Sequence, residues 1–292
     1  MKYLLILYLS FNLFASECSI APLNSVFYQP LLKDDGVIDL DKSMYKLSTI
    51  GIKQLILQWS KHGVVDFSKQ DDYLKNILES AQKYNLKVVI GLYADDKYFS
   101  VIKNKDTDFK IYFAILEKKN IEQAQRVYNI AQNYDSFDGW YIYDEIDDKY
   151  FRATKIQEYL QEYLLSMASM LDDISKKKIY MSCYFTGQME PQDFAIMLSY
   201  ITQGKYIVMP QSGIGAKLVN EVESKIYMNS FHKLYHFRYL PIAEVFGMNF
   251  ENFISQVDML KEVSKNDKIS SFSLRYILED SFFKSYKKEY CK

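Results

Sequence analysis

Short apolar runs recur along the chain at intervals of about 30 residues, and stretches with helical periodicity lie between them. The runs are nearly continuous and do not alternate with polar residues, which is typical of parallel strands buried on both faces. We predict eight strands, at Val26–Gln29, Gln54–Trp59, Lys87–Tyr93, Gly139–Glu145, Lys178–Tyr184, Lys205–Pro210, Arg238–Glu244 and Lys268–Tyr276.

Helices are predicted in the intervals from their apolar faces and their end signals. They are a helix with the face Tyr73–Ala81, a helix at Leu40–Ile50 closed by Gly51, one at Thr154–Ile174, and one at Asn249–Val263 with Asn249 as its N-cap.

Strict alternation of strands and helices predicts an α/β fold, and eight units fit a single (β/α)8 TIM barrel better than an open sheet. A doubly wound sheet is the alternative. It would need a glycine-rich phosphate loop after the first strand, and Tyr28–Leu31 is not one. The starts of the third and fourth strands are 52 residues apart, which predicts an extended loop after strand 3, at Ala94–Lys119. Loops there lie on the catalytic face, so we expect a groove wall, with a structural decoration as the alternative.

The N-terminus has the features of a secretory signal. Lys2 precedes the apolar stretch Tyr3–Phe14, which is too short for a membrane span, and cleavage is predicted near Ala15–Ser16. We therefore expect a signal peptide at 1–16 and one barrel domain at 17–292, in the periplasm or outside the cell. The alternatives are an uncleaved membrane anchor and a lipoprotein attached through Cys18, although Glu17 occupies a position that favours a small residue.

The chain contains three cysteines, Cys18, Cys183 and Cys291. Cys18 and Cys291 flank the predicted barrel. The N- and C-terminal ends of the polypeptide come near each other when a barrel closes, so a Cys18–Cys291 disulfide is our hypothesis. Two free thiols are the alternative. Cys183 lies in an apolar strand and is expected to pack in the core. The formal net charge of −1 does not indicate a nucleic-acid partner, and we expect a monomer.

Two glutamates each close a predicted strand, Glu145 the fourth and Glu244 the seventh. A TIM barrel places its chemistry at these strand ends, and a pair of carboxylates there is what cleavage of a glycosidic bond requires. Glu145 lies among Asp144, Asp147 and Asp148, and we expect this crowding to raise its pKa as a general acid requires. Strand alternation places Asp144 on the opposite face from Glu145.

Each glutamate also has a structural explanation. The alternative for the acids around Glu145 is a solvated loop or a helix N-terminus. Glu244 lies in an apolar run, where burial is costly unless the carboxyl is paired or used in function. Arg238 and Arg275 are possible ion-pair partners.

Aromatic and amide side chains at the strand ends are candidate sugar-binding residues. An aromatic face accepts the C–H groups of a sugar, and an amide accepts or donates to its hydroxyls. A core position is the alternative for Trp59, and the glycines after Gln211 allow close backbone approach. The predicted substrate-binding residues are Tyr28, Gln29, Gln58, Trp59, Tyr93, Tyr143, Tyr184 and Gln211.

The histidines do not form a metal motif. His232 and His236 are spaced i, i+4 without a third ligand or an HExxH pattern, and we interpret them and His62 as surface or helix-packing residues. No metal and no organic cofactor are expected. A nucleophile elbow, a P-loop and CxxC pairs are not found in the sequence, which argues against esterase, NTPase and redox functions.

Three segments together resemble the DUF4434 family. They are Phe27–Pro30, Gly51–Trp59, and Gly139–Ile142 leading to Glu145–Asp147, and the resemblance extends from about Ser25 to Phe246. It implies a barrel similar to clan A glycosidases, in which the acid/base glutamate ends strand 4 and the nucleophile ends strand 7. Those places correspond to Glu145 and Glu244.

The chain departs from the expected pattern at two positions. Clan A usually has Asn before the acid, where this chain has Asp144. The family tends to show Gln-Asp-Gly-Val-Gly in the sixth unit, where Ser212 replaces the acid.

The sequence as a whole predicts an exported glycoside hydrolase acting on a polysaccharide or glycan. A non-catalytic carbohydrate-binding barrel in envelope or exopolysaccharide processing is the first alternative, and a scaffold protein is the second.

Overall fold

The computed structural model describes residues 18, 21–31, 39–70 and 72–291, so the predicted signal peptide lies outside the described residues. Eight parallel strands form one sheet in the order β7-β8-β1-β2-β3-β4-β5-β6. The strands are β1 (Leu23–Tyr28), β2 (Gln54–Leu57), β3 (Lys87–Gly91), β4 (Phe137–Asp147), β5 (Lys178–Tyr184), β6 (Ile207–Pro210), β7 (Ile242–Glu244) and β8 (Ile269–Phe272).

Two isolated bridges bring the edge strands together, Val208 to Tyr239 and Gln211 to Ile242. The sheet is therefore a nearly closed ring of eight parallel strands, and the predicted (β/α)8 fold is confirmed. Phe27, Tyr141 and Phe272 pack inside the ring, with Phe27 contacting both other rings at centroid distances of 5.3 and 5.5 Å.

Ten helices of the described residues surround the ring or follow its strands. They are α1 (Leu40–Thr49), α2 (Tyr73–Lys83), α3 (Tyr98–Lys103), α4 (Phe109–Ala131), α5 (Thr154–Ile174), α6 (Pro191–Thr202), α7 (Glu221–Leu234), α8 (Phe250–Ser264), α9 (Leu274–Ile277) and α10 (Asp280–Tyr290). The side chain of Asn249 accepts from the backbone N–H of Asn252, so it caps α8 as predicted. Within the described ranges, no helix is long and apolar enough to span a membrane.

Several strand bounds differ from prediction: β2 ends at Leu57 and not at Trp59, β4 continues past Glu145 to Asp147, and β6 and β7 begin later than predicted. The third and eighth units also change direction before their predicted ends. Gly91 ends β3 where a Cβ would lie 2.1 Å from the carbonyl oxygen of Gln58, and Tyr93–Ala94 then pairs with Lys61–His62 in a separate small sheet. In the eighth unit the backbone leaves the ladder after Phe272 and forms α9. A continuous apolar run could not reveal either change of direction.

The extended connection after strand 3 is present and is mostly helical. Its predicted span, Ala94–Lys119, contains α3 and the first half of the 23-residue helix α4. Asp108 caps α4 by accepting from the backbone N–H of Ile111.

The predicted disulfide is confirmed. Cys18 and Cys291 are bonded across a sequence separation of 273 residues, joining the segment before β1 to the end of α10. Cys183 is free and fully buried in β5, also as predicted.

Removing this bond is expected to lower the free energy of unfolding by about 2–5 kcal/mol, because the bond closes a loop that spans almost the whole domain. The measurement is urea unfolding of the wild type and of the Cys18→Ser/Cys291→Ser variant, each with and without reductant. The reductant should shift only the wild-type midpoint. An unchanged wild-type midpoint would contradict the expected contribution.

Candidate active site

Glu145 lies in a β-bulge near the end of β4. Ile142 pairs with Met181 and Ile146 pairs with Cys183, so residues 143–145 of β4 stand opposite Ser182 alone. Such an irregularity interrupts the ladder and redirects side chains, and bulges occur often beside active sites. The bulge therefore sets the direction of the Glu145 side chain.

A hydrogen bond from Tyr98 of α3 stabilises the backbone of the bulge. The Tyr98 hydroxyl of α3 donates to the main-chain carbonyl oxygen of Glu145 at 2.7 Å, and the Tyr98 side chain is fully buried. The helix in the extended connection therefore supports the backbone of the candidate acid. Sequence reasoning missed Tyr98, since nothing in the periodicity of α3 distinguishes its hydroxyl from that of a packing tyrosine.

Replacing Tyr98 by phenylalanine is expected to lower the free energy of unfolding by about 1–3 kcal/mol, because a buried carbonyl oxygen loses its donor. Urea unfolding measures this effect. Tyr45→Phe is the matched control, because Tyr45 is 54% exposed and its variant should change stability by less than about 0.5 kcal/mol. Equal effects of the two variants would contradict a supporting role for the Tyr98 hydroxyl.

Within the part of the chain that the structure describes, the Glu145 carboxyl accepts two hydrogen bonds, both at Oε1. Ser182 Oγ donates at 3.1 Å and Gln211 Nε2 donates at 2.9 Å. Burial raises the pKa of Glu145 to about 7, the donors from Ser182 and Gln211 oppose that rise, and the negative charges of Glu244 and Asp147 add to it. A carboxyl with this pKa is partly protonated at neutral pH.

The neighbouring acids do not crowd Glu145 as the sequence suggested. Asp144 points to the helix layer, where it accepts from the Tyr163 hydroxyl of α5, so its predicted position on the opposite face is correct. Burial also raises the pKa of Asp144 to about 7. Desolvation is thus the main cause of the raised pKa of Glu145, and the expected mutual crowding of the carboxylates is a smaller effect.

Asp147 and Asp148 accept hydrogen bonds within the connections that follow β4 and β5. Asp147 accepts from the backbone N–H groups of Lys149 and Tyr150. Asp148 accepts from five donors, which are the backbone N–H groups of Thr186, Gln188 and Met189 and the hydroxyls of Thr186 and Tyr227. These contacts indicate a structural role for Asp148.

Glu244 ends β7 and is held by the loop that follows β6. Its Oε2 accepts from the backbone N–H of Ala216 at 3.0 Å. Burial raises the pKa of Glu244, while backbone N–H donors at Ala216, Gly215 and Gly213 oppose that rise. No ion pair of the described residues includes Glu244, so the alternative of an ion pair with Arg238 or Arg275 is not observed.

The same loop covers Glu244, whose exposed fraction is 1%. A Cβ on Gly215 would lie 2.7 Å from the Cβ of Glu244, so only glycine permits this approach of the backbone. Gln256 Oε1 accepts from the backbone N–H of Glu244 at 2.6 Å and from Ser212 Oγ at 2.9 Å, which joins the loop to β7.

Glu145 and Glu244 lie at the same end of the barrel. The negative charge of Glu244 contributes to the raised pKa of Glu145, and Gln211 bonds Glu145 while its backbone bridges to Ile242, two residues before Glu244. Both carboxyls lie at the C-terminal ends of their strands, the end at which TIM barrels carry their chemistry.

A series of hydrogen-bonded polar side chains extends from Glu145 across the barrel interior. Ser182 Oγ lies 2.6 Å from the Tyr141 hydroxyl, which also hydrogen-bonds the side chain of Gln58. Gln58 is buried, and its Oε1 has no hydrogen-bond partner among the described residues. Ser182 was missed from sequence, because a serine in an apolar strand gives no signal of which face it occupies.

Two of the aromatic residues predicted to bind substrate, Trp59 and Tyr143, belong to one group of packed rings. Trp59 contacts His62 and Tyr143 at ring-centroid distances of 4.8 and 5.6 Å, and Tyr143 also contacts Tyr98 at 6.2 Å. Trp59 is 5% exposed and its Nε1 donates to the carbonyl oxygen of Pro30. His62 thus packs against Trp59 and Tyr143 and is partly exposed, so the predicted surface position is correct and the predicted helix packing is replaced by this aromatic contact.

The remaining predicted binding residues lie near the strand ends in different surroundings. Tyr28 receives a hydrogen bond from the Tyr73 hydroxyl, and Gln29 follows β1 and is partly exposed. The Tyr93 hydroxyl accepts from Lys119 Nζ at 3.0 Å in the small sheet.

Tyr184 lies closer to the carboxylates. Its hydroxyl donates to Asp147 Oδ2 at 3.0 Å. Burial raises the pKa of Tyr184, and the negative charges of Asp147 and Glu145 raise it further. Among the described residues there is no group of three or more His, Cys, Asp or Glu side chains that could hold a metal ion.

Comparison with known proteins assigns the chain to a family. Residues 27–281 match the family described as Domain of unknown function (DUF4434). The chain belongs to the DUF4434 family. It is 28% identical over 211 residues to the uncharacterized protein YbcH of Escherichia coli K12, covering 71% of each chain.

Solved structures share the fold of this DUF4434 protein. A putative α-L-fucosidase from Bacteroides thetaiotaomicron has a TM-score of 0.72 at 18% identity, with 93% of this chain and 94% of that chain covered. A GH18 chitinase from Pseudoalteromonas aurantia has a TM-score of 0.61 at 11% identity, with 91% and 99% covered. These likenesses show the TIM-barrel fold that glycoside hydrolases use.

Proposed function

We propose that this protein is an exported glycoside hydrolase that cleaves a polysaccharide or glycan with Glu145 and Glu244. The observation that carries the proposal is the pair of carboxyls at the ends of β4 and β7, coupled by charge and held in different hydrogen-bonding environments. Glycosidic cleavage needs one protonated and one ionised carboxyl.

Glu145 is the proposed general acid. Its pKa of about 7 supplies a protonated fraction at neutral pH, and that proton passes to the oxygen of the leaving sugar as the glycosidic bond breaks. Both hydrogen bonds from Ser182 and Gln211 reach Oε1, so Oε2 is the proposed proton-carrying atom.

Glu244 is the proposed nucleophile. Burial raises its pKa, and the backbone N–H donors oppose that rise and so favour the ionised carboxyl that an attacking oxygen requires. Attack on the anomeric carbon forms a glycosyl ester. Water then attacks the anomeric carbon, the bond to Glu244 breaks, and the ionised Glu145 takes a proton from that water. The two successive displacements retain the anomeric configuration.

This mechanism requires movement of the loop after β6. Glu244 is 1% exposed beneath Gly215, so the segment 212–216 must shift before the carboxyl can touch an anomeric carbon. Substrate-induced loop movements of this kind are common in enzymes.

Two of the proposed sugar contacts lie beside the acids that follow one another in β4, and the others lie near the ends of neighbouring strands. Gln211 and Tyr184 lie beside Glu145 and Asp147, while Tyr143 and Trp59 belong to the aromatic group. Tyr28, Gln29, Gln58 and Tyr93 complete the proposed set. The fucosidase and chitinase folds support this substrate class by analogy only.

Export is proposed from the disulfide and from the predicted signal peptide. A disulfide that joins the domain ends persists in the periplasm or outside the cell, where thiols are not kept reduced. We propose a monomer without a cofactor.

A non-catalytic carbohydrate-binding barrel is the second candidate. The burial of Glu244 favours it, because a nucleophile covered by its own loop is not ready to react. This candidate keeps the aromatic and amide contacts and needs only one accessible carboxyl.

The deciding experiment is a screen of polysaccharides and aryl glycosides with the mature chain, followed by ¹H NMR of the first product anomer. Retention of configuration supports both proposed roles, and inversion would replace the nucleophile by a base acting through water. Saturable glycan binding without any turnover would favour the binding barrel.

A further inference from the structure

The opposite end of the barrel carries a set of cations. Lys or Arg occupies a position at or within a few residues before the start of most barrel strands. These residues are Lys53, Lys87, Lys178, Lys205, Arg238 and Lys268.

Part of this set has a structural use. Lys87 Nζ donates to the main-chain oxygen of Asp135 at 2.7 Å, and Lys268 Nζ donates to that of Ala21 at 3.5 Å. Helix C-termini also meet at this end of the barrel, where cations are favourable. These contacts alone need no ligand.

Among the described residues, four of the cations and one acid, Asp138, line one cavity of about 610 Å³ at this end. Asp138 already pairs with Lys178, Nζ to Oδ2 at 3.5 Å, and accepts from Gln54 Nε2 at 2.9 Å. The ion pairs of the described residues include none for Lys53, Lys87 or Arg238. The cavity lining thus has an excess of positive charge on a chain whose formal net charge is −1.

Tyr180 lies in the lining of the same cavity. Burial raises the pKa of Tyr180, and Asp138 adds to that rise, while the hydrogen bond from Gln54 and the positive charges of Lys178 and Arg238 oppose it. Phe237 and Leu240 add apolar wall to the same cavity. An apolar wall beside unpaired cations suits an organic anion better than a bare inorganic ion.

We propose that this cavity binds a small organic anion, in which a phosphate, sulfate or carboxylate group contacts Lys53 and Arg238. The volume lies in the range of small-molecule sites. The anion site lies at the opposite end of the barrel from the proposed glycosidase site, so the two sites are separate and anion binding does not depend on turnover. Glu145, Asp147 and Glu244 at the proposed glycosidase site would repel an anionic ligand.

Isothermal titration calorimetry with glucose 6-phosphate and with glucuronate tests the site, with inorganic phosphate as a third probe. We expect saturable binding of one anion per chain that weakens as NaCl is raised. The Lys53→Gln/Arg238→Gln variant should bind about tenfold more weakly, since two exposed charge contacts are lost. Both residues are exposed, so thermal stability without anion should be unchanged.

Lys110→Gln is the matched control, because Lys110 is exposed on α4 and outside the cavity lining. Its affinity should equal that of the wild type. Tighter binding of glucose 6-phosphate or glucuronate than of inorganic phosphate supports an organic ligand. Absence of saturable binding for all three probes, or equal weakening by Lys110→Gln, would overturn the proposal.

Discussion

Replacement of Glu145 by glutamine is expected to lower kcat/KM on an oligosaccharide by about 10²–10⁴-fold, the usual contribution of a positioned general acid. Glutamine keeps the size of the side chain and can still accept from Ser182 and Gln211, but it carries no acidic proton. The loss should be much smaller on an aryl glycoside with an acidic phenol, because that leaving group needs little protonation.

The pH profile provides a second test of the same variant. The acid acts while protonated, so wild-type activity should fall as the pH rises through about 7, the pKa of Glu145. In Glu145→Gln this decline should be absent. A decline that persists in the variant would assign it to another group.

Asp144→Asn is the matched control for Glu145→Gln. It makes the same carboxyl-to-amide change at the adjacent residue, whose side chain points to Tyr163 in the helix layer. Asparagine can still accept from that hydroxyl, so activity should remain within a few-fold of wild type. A loss in Asp144→Asn equal to that of Glu145→Gln would indicate that stability, and not acid catalysis, explains both results.

The contrast between these adjacent residues shows what the sequence could predict. Apolar runs at regular spacing predicted the barrel, because both faces of a parallel strand are buried and each strand needs a covering helix. Strand periodicity also placed Asp144 opposite Glu145 in direction. Chain ends that meet in a closed barrel suggested the Cys18–Cys291 bond as a hypothesis and left two free thiols as the alternative, and the structure contains the bond.

The details that position the carboxyls could not be predicted in this way. The bulge at 143–145 depends on how β4 pairs with β5, and the contact from Tyr98 joins residues 47 apart in sequence. Burial of Glu244 depends on the backbone of Gly215 in a loop from another unit. Each is a tertiary contact between segments that are distant in sequence. Neither the composition nor the hydrophobic periodicity of those segments predicts such a contact.

Replacement of Glu244 by glutamine is expected to lower turnover on the order of 10⁴–10⁶-fold, because no covalent intermediate can form without an attacking carboxylate. Unlike Glu145→Gln, this loss should not depend on the leaving group, since attack on the anomeric carbon is required for every substrate. Glu251→Gln is the control, because Glu251 is an exposed acid on α8.

Glu244→Gln also has a readout that needs no substrate. The negative charge of Glu244 raises the pKa of Glu145, so its removal should lower that pKa, which ¹³C NMR of labelled glutamate carboxyls can measure. Glu251→Gln should leave it unchanged. A lost turnover with a lowered Glu145 pKa supports two coupled carboxylates in one site. Because glutamine could also disturb the loop at 212–216, a lost turnover with an unchanged Glu145 pKa would instead assign Glu244 a role in holding that loop.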